Sequence, residues 1–232
     1  MGNSHVGSLK RGWDNISSEH PEKEVIFFAH RANGLSGLIS KDEKLVPDNE
    51  DLAKALKFTS GGKQEIEPEA YDIFLIYALG LTINFAQSGR FYSKAVIKKS
   101  LNDFVESTLS FQLLKRLRDV TNKKIFIGHT PFEAAAPLLP DTKPADYVGK
   151  VKLMNDIIYY PLDCELVLQP LSTIVNGNNT HHDFSKNSMR LSVGDHFDNE
   201  YHPEDDNFHM NDKFGEIWLK EFIMNYVDTH SK

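Results

Sequence analysis

Cysteine is nearly absent from this sequence: Cys164 stands alone in 232 residues. An intramolecular disulfide is therefore excluded, and the fold must rest on its core instead of on covalent staples. The expectation for Cys164 itself is a small buried hydrophobe. Long apolar runs are missing too, as is a signal-like apolar stretch after the first residues. That argues against a membrane span and makes a cytoplasmic location the simple expectation. Positive charge is in deficit, with 26 Lys and Arg against 33 Asp and Glu and a net charge of −7. A nucleic-acid partner, which calls for a basic surface, is not expected. No repeat, low-complexity tract or linker interrupts the chain, so residues 1–232 read as one domain with ample core. Nothing in the sequence sets an oligomeric state.

What is present alternates between two periodicities. Val6, Leu9, Trp13 and Ile16 form one helical stripe, predicting a helix from about Ser4 to Ser18. Val25 to Ala29 is continuously apolar, as in a strand buried on both faces, and leads into the glycine-containing loop Arg31 to Gly37. A polar excursion from Leu38 to Glu69 holds a short helical piece, Asp51 to Phe58, and a Gly61-Gly62 turn suited to joining two small strands. Tyr71 to Leu79 is a second buried strand, followed by a long amphipathic crossover helix from about Ser93 to Val120. Ile125 to Gly128 makes a third strand, Pro137, Pro140 and Pro144 break up a loop, and Ala145 to Tyr160 reads as helix. Glu165 to Leu168 is a weaker fourth strand. A polar loop from Asn176 to Asp206 then precedes a terminal helix reaching about Val227. This alternation predicts an α/β fold, a three-layer α/β/α sandwich around a central, mostly parallel sheet.

Two stretches carry chemistry. Ser4 follows a permissive glycine and opens the first helix, where outward backbone N–H groups favour an anion forming beside it. The bland alternative is that Ser4 merely caps the helix. Serine needs a base to act as nucleophile, and Asp206-Asn207-Phe208-His209 offers one. An aspartate three residues ahead of a histidine can fix its tautomer, leaving the other ring nitrogen to take a serine proton. That spacing also arises by chance at helix caps. A rival chemistry is a metal site built from His196, Asp198, His202, Asp205, Asp206 and His209, extended by His181 and His182. Its spacing matches no ligand frame, so neither a metal nor another cofactor is assigned. Trp13 and Trp218 lie on apolar helix stripes and read as core, while His30 and His129, each at a strand end, read as bonded to backbone.

Taken together, these stretches resemble the SGNH/GDSL hydrolases, a family of serine esterases and lipases with four sequence blocks in fixed order. Gly2-Asn3-Ser4-His5 is similar to the first block, with asparagine where the family's name has aspartate. Asn33-Gly34-Leu35-Ser36-Gly37 is similar to the second, and Asp206 and His209 match the Asp-x-x-His of the last. The resemblance implies a flavodoxin-like sandwich with Ser4 as nucleophile, His209 as base and acid, Asp206 as its orienter and Gly37 in the oxyanion hole. The third block departs: in place of Gly-x-Asn the chain has Gly80-Leu81-Thr82, with Asn84 two residues late. Thr82 or Asn84 is then the candidate to complete the hole. In the family a strand runs into the first block, whereas only Met1 precedes Gly2 here. The first strand is accordingly expected to be missing or truncated, the chain to begin late and the sheet to be altered or poorly stable. The implied activity is hydrolysis of carboxylic esters through an acyl-enzyme. A polar, acidic approach loop with Tyr201 favours small acyl groups, such as acetyl, on a carbohydrate or other polar alcohol. The alternatives are a binding protein that kept the fold without the activity, or a metal-dependent hydrolase using residues 196–209.

Overall fold

The computed structural model of the protein describes residues 1–83, 92–135 and 146–230. In chain order its elements are α1 (Val6–Ile16), β1 (Leu38–Lys41), β2 (Lys44–Pro47), α2 (Glu50–Thr59), β3 (Ile73–Tyr77), α3 (Lys94–Glu106), α4 (Leu109–Arg118), β4 (Lys124–Gly128), α5 (Tyr147–Met154), β5 (Cys164–Val167), β6 (Ile174–Val175), β7 (Asn179–Thr180) and α6 (Asp212–Phe222). The class is α/β. Strands β3, β4 and β5 form a parallel sheet, with Ile73 opposite Lys124 and Ile125 opposite Cys164. No helix among the described residues is long and apolar enough to cross a membrane.

Side-chain alternation divides the core in two. Ile125 and Ile127 point into one cluster with Leu56, Val105, Leu113 and Met154, drawn from α2 to α5. Phe126 points the other way, joining Val6, Leu9 and Trp13 of α1 and Phe214, Trp218 and Phe222 of α6. Both faces of the sheet are therefore covered by helices, the condition under which parallel strands read as unbroken apolar runs. Cys164 is fully buried, and Trp13 and Trp218 are core residues as expected.

Met1 and Gly2 stand where the truncated first strand was expected. Gly2 forms single parallel bridges to Tyr77 on one side and Ala29 on the other. Backbone bonds support them: Tyr77 N–H donates to the Met1 carbonyl at 2.9 Å, Gly2 N–H to Phe28 at 3.2 Å and His30 N–H to Gly2 at 3.4 Å. With these bridges the sheet runs Ala29, Gly2, β3, β4, β5, which in chain order of these positions is 2-1-3-4-5 and reverses beside Gly2. In open α/β sheets ligands bind at the carboxyl ends of the strands where the order reverses.

Three expectations are corrected. The strand predicted at Val25 to Ala29 is observed as a single bridge between Ala29 and Gly2, held by the Gly2 N–H to the Phe28 carbonyl and the His30 N–H to the Gly2 carbonyl. The small hairpin is β1–β2, turning through Asp42 and Glu43 at φ 50° and 60°, while Gly61 and Gly62 unwind the end of α2. The single crossover helix is two, α3 and α4. Thr108 Oγ1 donates to Val105 O at 2.7 Å and accepts Phe111 N–H at 3.2 Å, ending one helix and capping the next. The polar loop before α6 is ordered in part by Arg31, whose guanidinium pairs with Asp195 and Asp198 and bonds to the Leu191 carbonyl. Helix α5 continues as predicted through a π-helical turn at Asn155–Tyr159. Ala145 and the proline-broken loop with Pro137, Pro140 and Pro144 lie outside the described residues.

Candidate active site

Ser4 and His209 are 205 residues apart in sequence and meet because α1 and α6 run side by side. Three polar contacts mark their register: Arg11 with Asp212, Asn15 with Glu216 and Glu19 with Lys220, each 201 residues apart. A constant offset requires the two helices to be parallel, so their N-terminal ends lie together. The seam is close. A Cβ on Gly12 would overlap the Gly215–Glu216 backbone, and one on Gly215 would overlap the Ser8 carbonyl. Both positions need glycine for that approach.

The turn into α1 leaves Ser4 uncommitted. Asn3 Oδ1 takes the His5 N–H at 3.3 Å and Asn3 O takes the Val6 N–H at 2.9 Å. Ser4 is thus not the helix cap; its Oγ lies 2.9 Å from His209 Nε2. On the other side, Asp206 Oδ1 accepts the backbone N–H of Phe208 at 2.8 Å and of His209 at 2.9 Å. Asp206 Oδ2 lies 2.9 Å from His209 Nδ1. A carboxylate accepts, so Nδ1 carries the proton, and Nε2 presents its lone pair to the Ser4 hydroxyl. Burial alone would raise the Asp206 carboxyl, but the bonds from the His209 backbone, the His209 ring and Phe208 outweigh it and hold the group below its usual range.

Two further imidazoles complete this corner. The His202 ring stacks on His209 at 3.8 Å between centroids and 7° between planes, and the His5 ring stacks at 4.8 Å and 19°. Burial, reinforced by His209, lowers His202 to about 4 and His5 to about 3, so both rings are neutral at pH 7. His202, Asp206 and His209 offer ligand atoms within 4.8 Å of one another. Rings this nearly parallel direct their in-plane lone pairs side by side, which does not suit one ion at the ~2.0–2.1 Å of a zinc–imidazole bond. The wider metal set is not gathered. Asp198 is taken by Arg31 and by the Val193 and Gly194 N–H groups, His196 lies over Phe197, and Asp205 is exposed. His181 and His182 sit with Asp183 in a separate surface group.

The expected oxyanion donors fare differently from the triad. Gly37 is explained by its own neighbours: a Cβ there would overlap the Asp48 carboxylate, and its carbonyl accepts the Asp48 N–H at 2.9 Å. Thr82 is half-buried beyond a turn, and no hydrogen bond among the described residues joins Gly37 or Thr82 to Ser4 or His209. Asn84 lies outside the described residues. The Ser4 N–H, by contrast, has no hydrogen-bond partner among the described residues.

Beside this corner the chain leaving β3 turns through Ala78, Leu79 and Gly80, all left-handed at φ 64°, 54° and 83°. Two successive non-glycine residues in that region store strain, a feature that clusters at functional sites. Leu79 and Gly80 line a cleft of about 370 Å³ with Asn33, Ser36, Phe104 and Gln112. No ionisable side chain among the described residues lines it. Neither the strained turn nor the His5 and His202 stack was legible as such. The one available signal was that His5 and His202 each neighbour a triad segment.

His30 and His129 are bonded to backbone as expected, through Nδ1 to the carbonyls of Arg31 and Thr130. Each also has a second partner, Asp51 for His30 and the Tyr147 hydroxyl for His129. No family model, curated protein or solved structure matches the chain.

Proposed function

We propose that the protein is a serine esterase of the SGNH type, acting through an acyl-enzyme. The observation that carries this reading is the unbroken chain from Asp206 through His209 to Ser4, with both links at 2.9 Å. The covered parallel sheet and the 2-1-3-4-5 order support the flavodoxin-like sandwich that such an enzyme would use. Ser4 Oγ attacks the ester carbonyl as His209 Nε2 takes its proton, and Asp206 stabilises the imidazolium that forms. The oxyanion is met by the free Ser4 N–H at the head of α1, and the family resemblance would assign further donors to Gly37 and to Thr82 or Asn84. His209 then protonates the leaving alcohol, and water repeats the sequence to release the acid.

The substrate we assign is an ester of a small acyl group with an uncharged, polar alcohol. Its support is the cleft past the end of β3, the strand that bridges Gly2, whose described lining sets Asn33, Gln112 and Ser36 beside Phe104 and includes no charged side chain. A volume of about 370 Å³ falls in the range of roughly 300–1,000 Å³ for small-molecule sites.

The deciding experiment is labelling with a fluorophosphonate followed by peptide mapping. Modification of Ser4, lost in Ser4→Ala, together with faster turnover of acetyl than of decanoyl esters, is the expected result. Folded protein that is neither labelled nor active would overturn the reading in favour of a binding role. Chelator-sensitive turnover without labelling would point to the metal chemistry.

A further inference from the structure

We propose that His202 and His5 are positioning residues that hold the plane of the His209 ring between them. The inference rests on the esterase reading for its functional meaning, and on geometry for its content. A histidine base has a free rotation about its Cβ–Cγ bond, and both of its nitrogens lie in the ring plane. Rotating that plane moves Nε2 off Ser4 Oγ and Nδ1 off Asp206 Oδ2 together. Two bonds at 2.9 Å fix the plane only while water and neighbours leave them alone.

The stack supplies the missing restraint. One face of an imidazole has room for a single stacked ring, so His202 at 3.8 Å and His5 at 4.8 Å occupy opposite faces. They come from different parts of the chain, His5 from the turn into α1 and His202 from the loop before α6. Each is itself anchored. The His5 N–H donates to Asn3 Oδ1 and its carbonyl accepts from Ser8 Oγ, and the His202 N–H donates to the Ser188 carbonyl at 2.9 Å. The His202 side chain is only 7 % exposed.

The ring faces, not the ring nitrogens, do the positioning. His202 Nε2 and His5 Nδ1 are buried without hydrogen-bond partners among the described residues. His202 Nδ1 lies 3.3 Å from Asp206 Oδ2, yet a ring parallel to His209 cannot aim its N–H along the same line to that oxygen.

The test is a series at position 202 in the full chain: His202→Phe keeps a flat face, His202→Leu fills the volume without one, and His202→Ala removes both. We expect kcat on a small acetyl ester to fall on the order of 10²-fold in the Ala and Leu variants, the scale of a 1 Å misplacement, with KM within about 2-fold. His202→Phe is expected to recover most of that loss. A readout free of turnover is the proton resonance of the His209 Nδ1–H bonded to Asp206, which should stay sharp in the Phe variant and broaden in Leu and Ala. Should Ala fail to fold, the Phe and Leu pair decides alone. A Leu variant with wild-type kcat and a sharp resonance, or a Phe variant as impaired as Leu, would overturn the proposal. Absence of fluorophosphonate labelling in the parent protein would instead sink the esterase reading and leave the resonance to judge the stack.

Discussion

The helix pair that carries Ser4 and the cleft past β3 are built on different terms. On one side, α1 and α6 pack through Gly12 and Gly215, share a register of polar contacts, and deliver Ser4, Asp206 and His209 already hydrogen-bonded. On the other, the wall is the left-handed turn Ala78 to Gly80 facing Asn33 and Phe104 across an open cleft. Groups that move protons must be held to fractions of an ångström, which favours rigid helices as their supports. A surface that selects substrates works by shape and uncharged contacts, and it can be carried by turns.

The comparison would break most visibly if the helix wall did no chemistry. Asp206→Asn preserves the Oδ1 acceptor for the Phe208 and His209 N–H groups, so the turn should fold. Its amide cannot stabilise the imidazolium and favours the wrong tautomer of His209. We expect kcat to fall by about 10³–10⁴ with little change in thermal midpoint. Steady-state kinetics beside a melting curve measure both, and a loss below about 10-fold would remove Asp206 from the mechanism.

The cleft wall has its own dependence, on pH. Thr130 N–H donates to the Leu81 carbonyl at 2.8 Å, so the strained turn hangs from the end of β4 next to His129. His129 is buried, with Nδ1 donating to Thr130 O and Nε2 accepting from the Tyr147 hydroxyl. Burial, partly offset by the bond to Thr130, lowers its pKa from 6.5 to about 4. The unfolded chain therefore binds a proton between pH 6.5 and 4 that the folded chain refuses. Stability from this group is full above pH 6.5 and is lost as pH falls toward 4, by about 3 kcal/mol. Urea unfolding at pH 7 and pH 4.5 should show the loss, and His129→Gln should reduce it, the remainder coming from His202 and His5, which burial lowers as well. A parent protein equally stable at both values would contradict the assignment.

A smaller effect is expected at the helix seam. Gly215→Ala forces a methyl against the Ser8 carbonyl, and overpacking of this kind costs about 1–3 kcal/mol. Because the strain falls on the turn of α1 just after Ser4, kcat should drop along with stability. A variant that loses stability but keeps full kcat would mean that the seam does not position the nucleophile.

How much of this was legible in the sequence follows the range over which each signal acts. Asp-x-x-His is local, and Ser4 and the α1 stripe are local, so these candidate residues and the helices that bring them together could be read directly. The strand at Val25 to Ala29 could not, because pairing needs a neighbour and apolar character alone does not supply one. The hairpin turn at Asp42 and Glu43 lacks the Asn-Gly signature of its type, and glycines elsewhere drew attention to the wrong turn. The break between α3 and α4 hides inside a periodic apolar pattern, since a single threonine hydroxyl competing for backbone groups leaves that pattern intact. The His5 and His202 stack is a tertiary contact between distant segments. Nothing in either segment alone announces it.

The mildest prediction bears on the cleft itself. Phe104 is half-buried where α3 ends, and it is the one aromatic ring among the described residues that line the cleft. If that ring receives the uncharged alcohol, Phe104→Ala should raise KM by about 3- to 10-fold, the effect of losing one aromatic contact at a partly exposed site. Ser4, His209 and Asp206 are untouched, so kcat should stay within about 2-fold, and fluorophosphonate labelling of Ser4 should proceed at the parent rate. The split matters more than its size. A fall in kcat with KM unchanged would mean that the turn wall shapes the reacting geometry after all, and the division of labour between the two walls would have to be abandoned.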